Sequence, residues 1–195
     1  WEEDIQKLEE RTQSPWGRYL DVDGDGIPYR TVMGNLHPRS AYFTRGTGHD
    51  EFGRYSEEPD VWERVLARVA SKFETARGLV PAPELVEKPG AKVGIIAYGS
   101  TEPAVREAMD LLESQGLPTA FLRLRATPFT KEVEEFAKKY ERIYVVEINR
   151  DGQMRQLLLI DYPQYATRFI QAAHMDGLPL TADWIAKTIK AGEER

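Results

Sequence analysis

The sequence predicts an α/β fold: a three-layer αβα sandwich with a mainly parallel sheet over residues 91–195, preceded by a loop-rich extension with one helix. Three observations predict it. Strand-like and helix-like segments alternate without a gap from Lys92 to the end of the chain. The strand segments are rich in β-branched and aromatic residues, as strands covered on both faces are. The connections between them are short, which suits right-handed β-α-β crossovers.

Each element follows from its residues. KVGIIAYGS (92–100) is an apolar run that ends in Gly-Ser, and reads as a strand. TEPAVREAMDLLESQG (101–116) is a helix with Pro103 in its first turn, an apolar stripe of Val105, Ala108, Met109 and Leu112, and Gly116 at its end. TAFLRLRA (119–126) alternates like a strand. TKEVEEFAKKY (130–140) opens on a threonine cap and puts Val133, Phe136, Ala137 and Tyr140 on one face. RIYVVEIN (142–149) is the third strand and GQMRQLLLI (152–160) the third helix. TRFIQAAHM (167–175) is the fourth strand, and TADWIAKTIKAG (181–192) a capped helix bearing Trp184, Ile185 and Ile189.

The first ninety residues have a different character. WEEDIQKLEE is charged and helix-like, and Thr12 to Pro59 is dense in Gly, Pro, Arg and Asp. PDVWERVLARVASKFETARG (59–78) is a helix between Pro59 and Gly78, and LVPAPELVEKPGA (79–91) reads as a proline-marked linker. A loop that long is expected to pack on something, either a partner or an upstream domain. A start at Trp1 without an initiator methionine suggests a piece of a longer chain.

Composition narrows the function classes. The 195 residues are 41% hydrophobic and 30% charged, with 26 Lys and Arg against 32 Asp and Glu, a net charge of −6. That acidic balance argues against a nucleic-acid partner. No run approaches the roughly 20 apolar residues of a membrane-spanning helix, so no membrane association is expected. Cysteine is absent, which removes disulfides, thiolate metal sites and cysteine nucleophiles. A cytoplasmic location fits that absence.

Two motifs overlap in DVDGDGIPYR (21–30). Gly24-Asp25-Gly26 is the tripeptide that opens a thiamine-diphosphate site, but such a site needs a magnesium-sharing asparagine well downstream. Asn35 is much too close, and no asparagine follows in the required window. Asp21, Asp23, Asp25, Gly26 and the Ile27 carbonyl match the first positions of a calcium loop. Its twelfth position is Val32, which offers no carboxylate, unless Asp50 or Glu51 substitutes. The other reading is an Asx-type turn with glycines at positive φ, and the turn is preferred.

RGTGHDEFGRYSEEP (45–59) gathers Arg45, His49, Asp50, Glu51 and Arg54 between glycines. His49 beside Asp50 has the makings of a general base and its orienter, but adjacent residues in a loop rarely meet that geometry. A recognition or packing loop is the expectation, partner-facing or facing an active site, with little weight in folding. Gly99, Ser100 and Thr101 sit where a strand meets a helix N-terminus, an anion-binding place that plain N-capping also explains. Glu147, Asn149, Gly152 and Gln153 occupy the corresponding edge after another strand, where helix capping is again the simpler reading. His37 and His174 have no partner evident from sequence.

Taken in order, four blocks resemble the C-terminal part of the α subunit of 2-oxoacid:ferredoxin oxidoreductases, above all the 2-oxoglutarate type. They are YLDVDGDGIPYRT (19–31), AYFTRGTGHDEFGRYSEEP (41–59), VGIIAYGSTEPAVREAM (93–109) and VVEINRDGQMRQLL (145–158). Glu147, Asn149, Gly152 and Gln153 match the family's Glu-x-Asn-x-x-Gly-Gln. The resemblance implies that 91–195 is a transketolase C-terminal-like domain, and that the segment before it is the tail of an upstream domain plus an extension. It also implies an oxidoreductase complex performing coenzyme-A-dependent oxidative decarboxylation with thiamine diphosphate, magnesium and an iron–sulfur cluster. The partners implied are a thiamine-binding β subunit, the upstream α-subunit domains, and ferredoxin as electron acceptor. This piece is expected to be inactive alone, to bind none of those cofactors and to hold no catalytic residue, serving assembly and active-site shaping. Two alternatives stay open: a self-sufficient ligand- or calcium-binding α/β module, or the C-terminal domain of another thiamine-diphosphate enzyme, such as an E1 β chain.

Overall fold

A computed structural model describes residues 4–41 and 46–194, in two compact units, Trp1–Leu79 and Val80–Arg195. The second unit holds a five-stranded sheet of order β1-β3-β2-β4-β5. Its strands are β1 (Glu84–Val86), β2 (Val93–Tyr98), β3 (Thr119–Leu124), β4 (Arg142–Glu147) and β5 (Phe169–Ala173). All neighbours pair in parallel except β1, which runs antiparallel to β3. The sheet is thus mainly parallel, as the alternating pattern predicts.

Side-chain alternation along the strands supplies two cores. On one face Ile95, Phe121, Tyr144 and Val146 pack with α3 (Glu102–Ser114) and α6 (Ala182–Glu193) through Val105, Leu112, Ile185 and Ile189. On the other, Ile96, Leu122, Ile143 and Val145 meet α4 (Lys131–Lys139) and α5 (Gln153–Asp161) through Val133, Phe136 and Leu158. Helices therefore cover both faces, which is why the strands are nearly continuous apolar runs.

Some local expectations change. The 79–91 stretch contains β1: Leu85 stands opposite Leu122 and Val86 opposite Phe121, while Glu84 pairs with Arg123 at 3.3 Å. An edge strand needs only one partner, so prolines just upstream do not prevent it. A 3₁₀ turn, Pro163–Arg168, delays β5 to Phe169. Thr130 and Thr101 stand at N-cap positions without capping through their side chains, whereas Thr181 accepts from the Trp184 N–H at 3.2 Å.

The first unit is built on α1 (Ile5–Thr12) and α2 (Pro59–Arg77). Asp4 caps α1 by accepting from the Lys7 N–H at 3.2 Å. Ile5 and Leu8 form a small core with Trp16, with Val22 and Tyr29 against it. The Trp16 indole N–H donates to the Tyr29 carbonyl at 3.3 Å, which closes the chain over this core. Among the described residues no helix is long and apolar enough to cross a membrane.

Candidate functional site

The sheet edge at the end of β4 carries a dense polar network. Glu147 ends β4 fully buried. Its Oε2 accepts from the Asn149 side chain at 2.5 Å and from the Met154 N–H at 2.9 Å; its Oε1 accepts from the Arg155 N–H at 3.2 Å. Asn149 Oδ1 in turn accepts from the N–H groups of Gly152 (2.6 Å) and Gln153 (3.3 Å). Four amides at the start of α5 are thereby satisfied by two side chains, and the negative group lies at the positive end of the helix dipole. Gly152 is needed there: its φ is +65°, and a Cβ would lie 2.8 Å from the Gln171 side chain. The motif caps a helix, and both carboxylate oxygens of Glu147 take part in the cap.

Beside it, on the neighbouring strand, Tyr98 ends β2. Burial first, and then the charge of Glu147, push its phenol above the ordinary tyrosine range, against the pull of a hydrogen bond with Asn149. Gly99 and Ser100 follow as a 3₁₀ turn into α3, with Ser100 exposed. The two family-motif segments therefore share one edge of the sheet, at adjacent strands. His174, past the end of β5, has the partners that the sequence hides: its Nε2 lies 3.1 Å from Asp176, and its ring stacks on Trp184 at 5.0 Å. The Leu178 N–H and His174 hold the Asp176 carboxyl below its usual range. His37 likewise has one, since its Nδ1 accepts from the Arg39 N–H at 3.1 Å.

DVDGDG takes the form of a turn. Asp21 accepts from the N–H groups of Gly24 (2.9 Å) and Gly26 (2.8 Å), Asp25 accepts from Ile27 (2.7 Å), and the Tyr29 hydroxyl donates to Asp23 (2.9 Å). Oxygens of Asp21, Asp23 and Asp25 do come within 4.8 Å of one another. Neither Asp50 nor Glu51 completes the set: Asp50 accepts from the Phe52 and Arg54 N–H groups at 2.9 Å, and Glu51 pairs with Arg64 at 3.1 Å. The donors present fit a turn better than a completed calcium loop.

Arg45 lies outside the described residues. The rest of its loop is a small hairpin with a His49–Tyr55 bridge. The Asp50 carboxylate serves backbone amides and does not orient the imidazole, whose Nδ1 meets the Asp50 carbonyl at 2.9 Å. No His–Asp dyad forms. The His49 ring stacks on Tyr19 at 4.1 Å, and the Tyr19 N–H donates to the Glu51 carbonyl at 2.9 Å. The loop is thus fastened within the first unit more firmly than its composition suggests. Arg54 lies over the Phe52 ring at 5.4 Å.

No protein-family model matches the chain. Individual proteins do resemble it. The chain is similar over nearly its whole length to 2-oxoacid:ferredoxin oxidoreductase α subunits. It is 29% identical to subunit alpha of 2-oxoacid:ferredoxin oxidoreductase 2 from Aeropyrum pernix, and 28% identical to the α subunit from Saccharolobus solfataricus. Each alignment covers 97% of this chain and 30% of the relative, so the chain spans under a third of those α subunits. The solved 2-oxoglutarate:ferredoxin oxidoreductase from Magnetococcus marinus, with 2-oxoglutarate, coenzyme A and succinyl-CoA bound, superposes with a TM-score of 0.72 at 26% identity. That match covers 92% of this chain and 31% of the other. The ferredoxin-oxidoreductase likeness thus extends from sequence to fold, across both the extension and the sheet.

Proposed function

We propose that this chain acts as the C-terminal part of the α subunit of a 2-oxoacid:ferredoxin oxidoreductase that takes 2-oxoglutarate. The carrying observation is the likeness across 92% of the chain to an enzyme whose structure holds 2-oxoglutarate and coenzyme A. The reaction is coenzyme-A-dependent oxidative decarboxylation in the complete complex, with ferredoxin as electron acceptor and the cytoplasm as its place.

Thiamine diphosphate with magnesium, and an iron–sulfur cluster, supply that chemistry when bound, and this chain's residues do not fit them. Asp25 of the Gly-Asp-Gly turn lacks its downstream asparagine and is occupied by the Ile27 amide. Without cysteine, no thiolate is present for a cluster. In this reading the thiamine-binding β subunit and the upstream α-subunit domains supply those groups. Residues 1–79 are the tail and extension that reach toward them, and 80–195, whose sheet includes β1, the transketolase C-terminal-like domain. The hairpin with His49, Asp50, Glu51 and Arg54 is a preshaped surface for one of these partners. Glu147, Asn149 and Gly152 keep the sheet edge rigid, with Gln153 joining through its backbone amide.

The test is co-expression of this chain with a thiamine-binding β chain and the upstream α-subunit domains. Co-purification is expected, together with viologen reduction on 2-oxoglutarate and coenzyme A that the isolated chain does not show. Turnover by the isolated chain, or failure to co-purify, would overturn the reading.

A further inference from the structure

Four Asp-Gly steps occur in the chain: Asp23-Gly24, Asp25-Gly26, Asp151-Gly152 and Asp176-Gly177. Such a step carries a latent reaction. With no Cβ on the second residue, its backbone nitrogen can reach the aspartate carboxyl carbon and close a five-membered ring. What holds that nitrogen and that carboxylate decides the rate, and the fold treats the four steps differently.

Three are tied down. The Gly24 and Gly26 N–H groups donate to Asp21 at 2.9 and 2.8 Å, and that of Gly152 donates to Asn149 at 2.6 Å. Their aspartates are engaged too: Asp23 by the Tyr29 hydroxyl, Asp25 by the Ile27 amide, and Asp151 by Arg150 at 2.7 Å. An N–H held by an acceptor loses that bond when its nitrogen attacks, so ring closure costs more.

The fourth step is different. Asp176-Gly177 lies in the exposed bend between β5 and α6, and among the described residues the Gly177 N–H has no acceptor. Nothing stands within 4 Å of the Gly177 Cβ position. Asp176 Oδ1 accepts from the Leu178 N–H at 2.9 Å, a bond that folds the carboxyl forward over the Gly177 peptide. Its Oδ2 lies 3.1 Å from His174 Nε2, and the His174 ring is stacked on Trp184. The Leu178 amide and His174 keep this carboxyl ionised, so its oxygen needs a proton before it can leave. The imidazole is placed to supply one.

The geometry points to Asp176-Gly177 as a site of spontaneous isoaspartate formation, with His174 as its proton donor. The Gly177 nitrogen bonds to the Asp176 carboxyl carbon. One carboxyl oxygen departs as water, with the amide proton and a proton from the imidazolium of His174. Water then opens the succinimide at the α-carbonyl carbon, breaking the original peptide bond and leaving Gly177 joined through the β-carboxyl. That hydrolysis returns the proton to His174, and no oxidant or cofactor is consumed. The product has one more backbone carbon between β5 and α6, and a free α-carboxylate of the kind that isoaspartyl methyltransferases esterify. The proposal does not rest on the enzymatic reading.

The whole chain is aged at neutral pH, in native buffer and in urea. Isoaspartate is then measured at each step with an isoaspartyl methyltransferase and by electron-transfer fragmentation of proteolytic peptides. In native buffer 176–177 is expected to react at least about fivefold faster than the other three, the rate factor of one ordinary hydrogen bond. In urea that preference is expected to vanish. Folded His174→Gln is expected to slow 176–177 alone, whereas mere loosening of the bend would speed it. If that variant fails to fold, the native and urea rankings carry the test. A native rate at 176–177 no higher than at the other steps, a preference that persists in urea, or a folded His174→Gln that reacts there as fast as the parent or faster would each overturn the proposal.

Discussion

A Cβ built on Gly26 would stand 2.3 Å from the backbone nitrogen of Lys72, so the tip of the aspartate turn rests directly on the main chain of α2. The turn is a packing element of the first unit. Gly26 also has φ of +81°, and Gly24 has φ of +80° with nothing within 4 Å of its Cβ position. Gly24→Ala is therefore expected to cost about 1 kcal/mol from backbone strain alone, and Gly26→Ala about 3 kcal/mol or more. Urea unfolding of the two variants separates strain from clash. Equal losses would contradict the contact with α2.

Metal should matter little to this turn. Both oxygens of Asp21 already accept backbone N–H groups, and the twelfth loop position is Val32. Melts in EDTA and in excess calcium are expected to agree within about 4 °C. A calcium-induced rise near 10 °C that Asp23→Ala removes would establish a metal site instead; that is about 3 kcal/mol or more for a chain of this size.

The cap at α5 is the clearest polar contribution to the second unit. Glu147→Ala strips the Met154 and Arg155 amides of a buried acceptor, at an expected cost of about 2–4 kcal/mol. Gln153→Ala, whose exposed side chain takes no part in the cap network, should change stability by less than about 0.5 kcal/mol. Denaturant midpoints at constant m-value are the readout, and a mild Glu147→Ala would mean that water replaces the carboxylate.

In the hairpin, Asp50 and His49 each hold the loop in place. Asp50→Ala frees two amides and is expected to lose about 1 kcal/mol, as capping residues do. His49→Ala removes the stack on Tyr19 and should lose a similar amount, about 0.5–1.5 kcal/mol. Thermal melts measure both. Losses indistinguishable from zero would mean that the loop contributes nothing to the first unit and serves recognition alone.

Alkaline pH gives a further handle. Burial raises the phenols of Tyr98 and Tyr144, and donation to Asp23 raises that of Tyr29. A raised folded value favours the neutral phenol in the native state. The resulting stability is intact below the unfolded tyrosine value of about 10 and is lost as pH rises through the folded values. Phenolate absorbance should therefore show a delayed phase coincident with unfolding, and Tyr98→Phe should shrink it. Full, reversible titration of every tyrosine near 10 with the fold intact would contradict these burials.

Periodicity along the chain is sufficient to reveal the four parallel strands, the helices over them and α2, because an apolar face at a fixed repeat can be buried in few ways. The Glu-x-Asn-x-x-Gly-Gln pattern is equally local: its donors and acceptors lie within eight residues, so its capping role is readable before any coordinates. The three-residue β1 is not, because pairing Val86 with Phe121 depends on a free sheet edge that exists only after β2 and β3 have assembled. Nor is the contact of Gly26 with the main chain at Lys72, since it joins distant segments through packing that no sequence window contains. Local composition also left DVDGDG open between metal loop and turn. Only the tertiary structure shows what that stretch rests on, with its aspartates holding backbone amides and the turn set against a helix that begins more than thirty residues later.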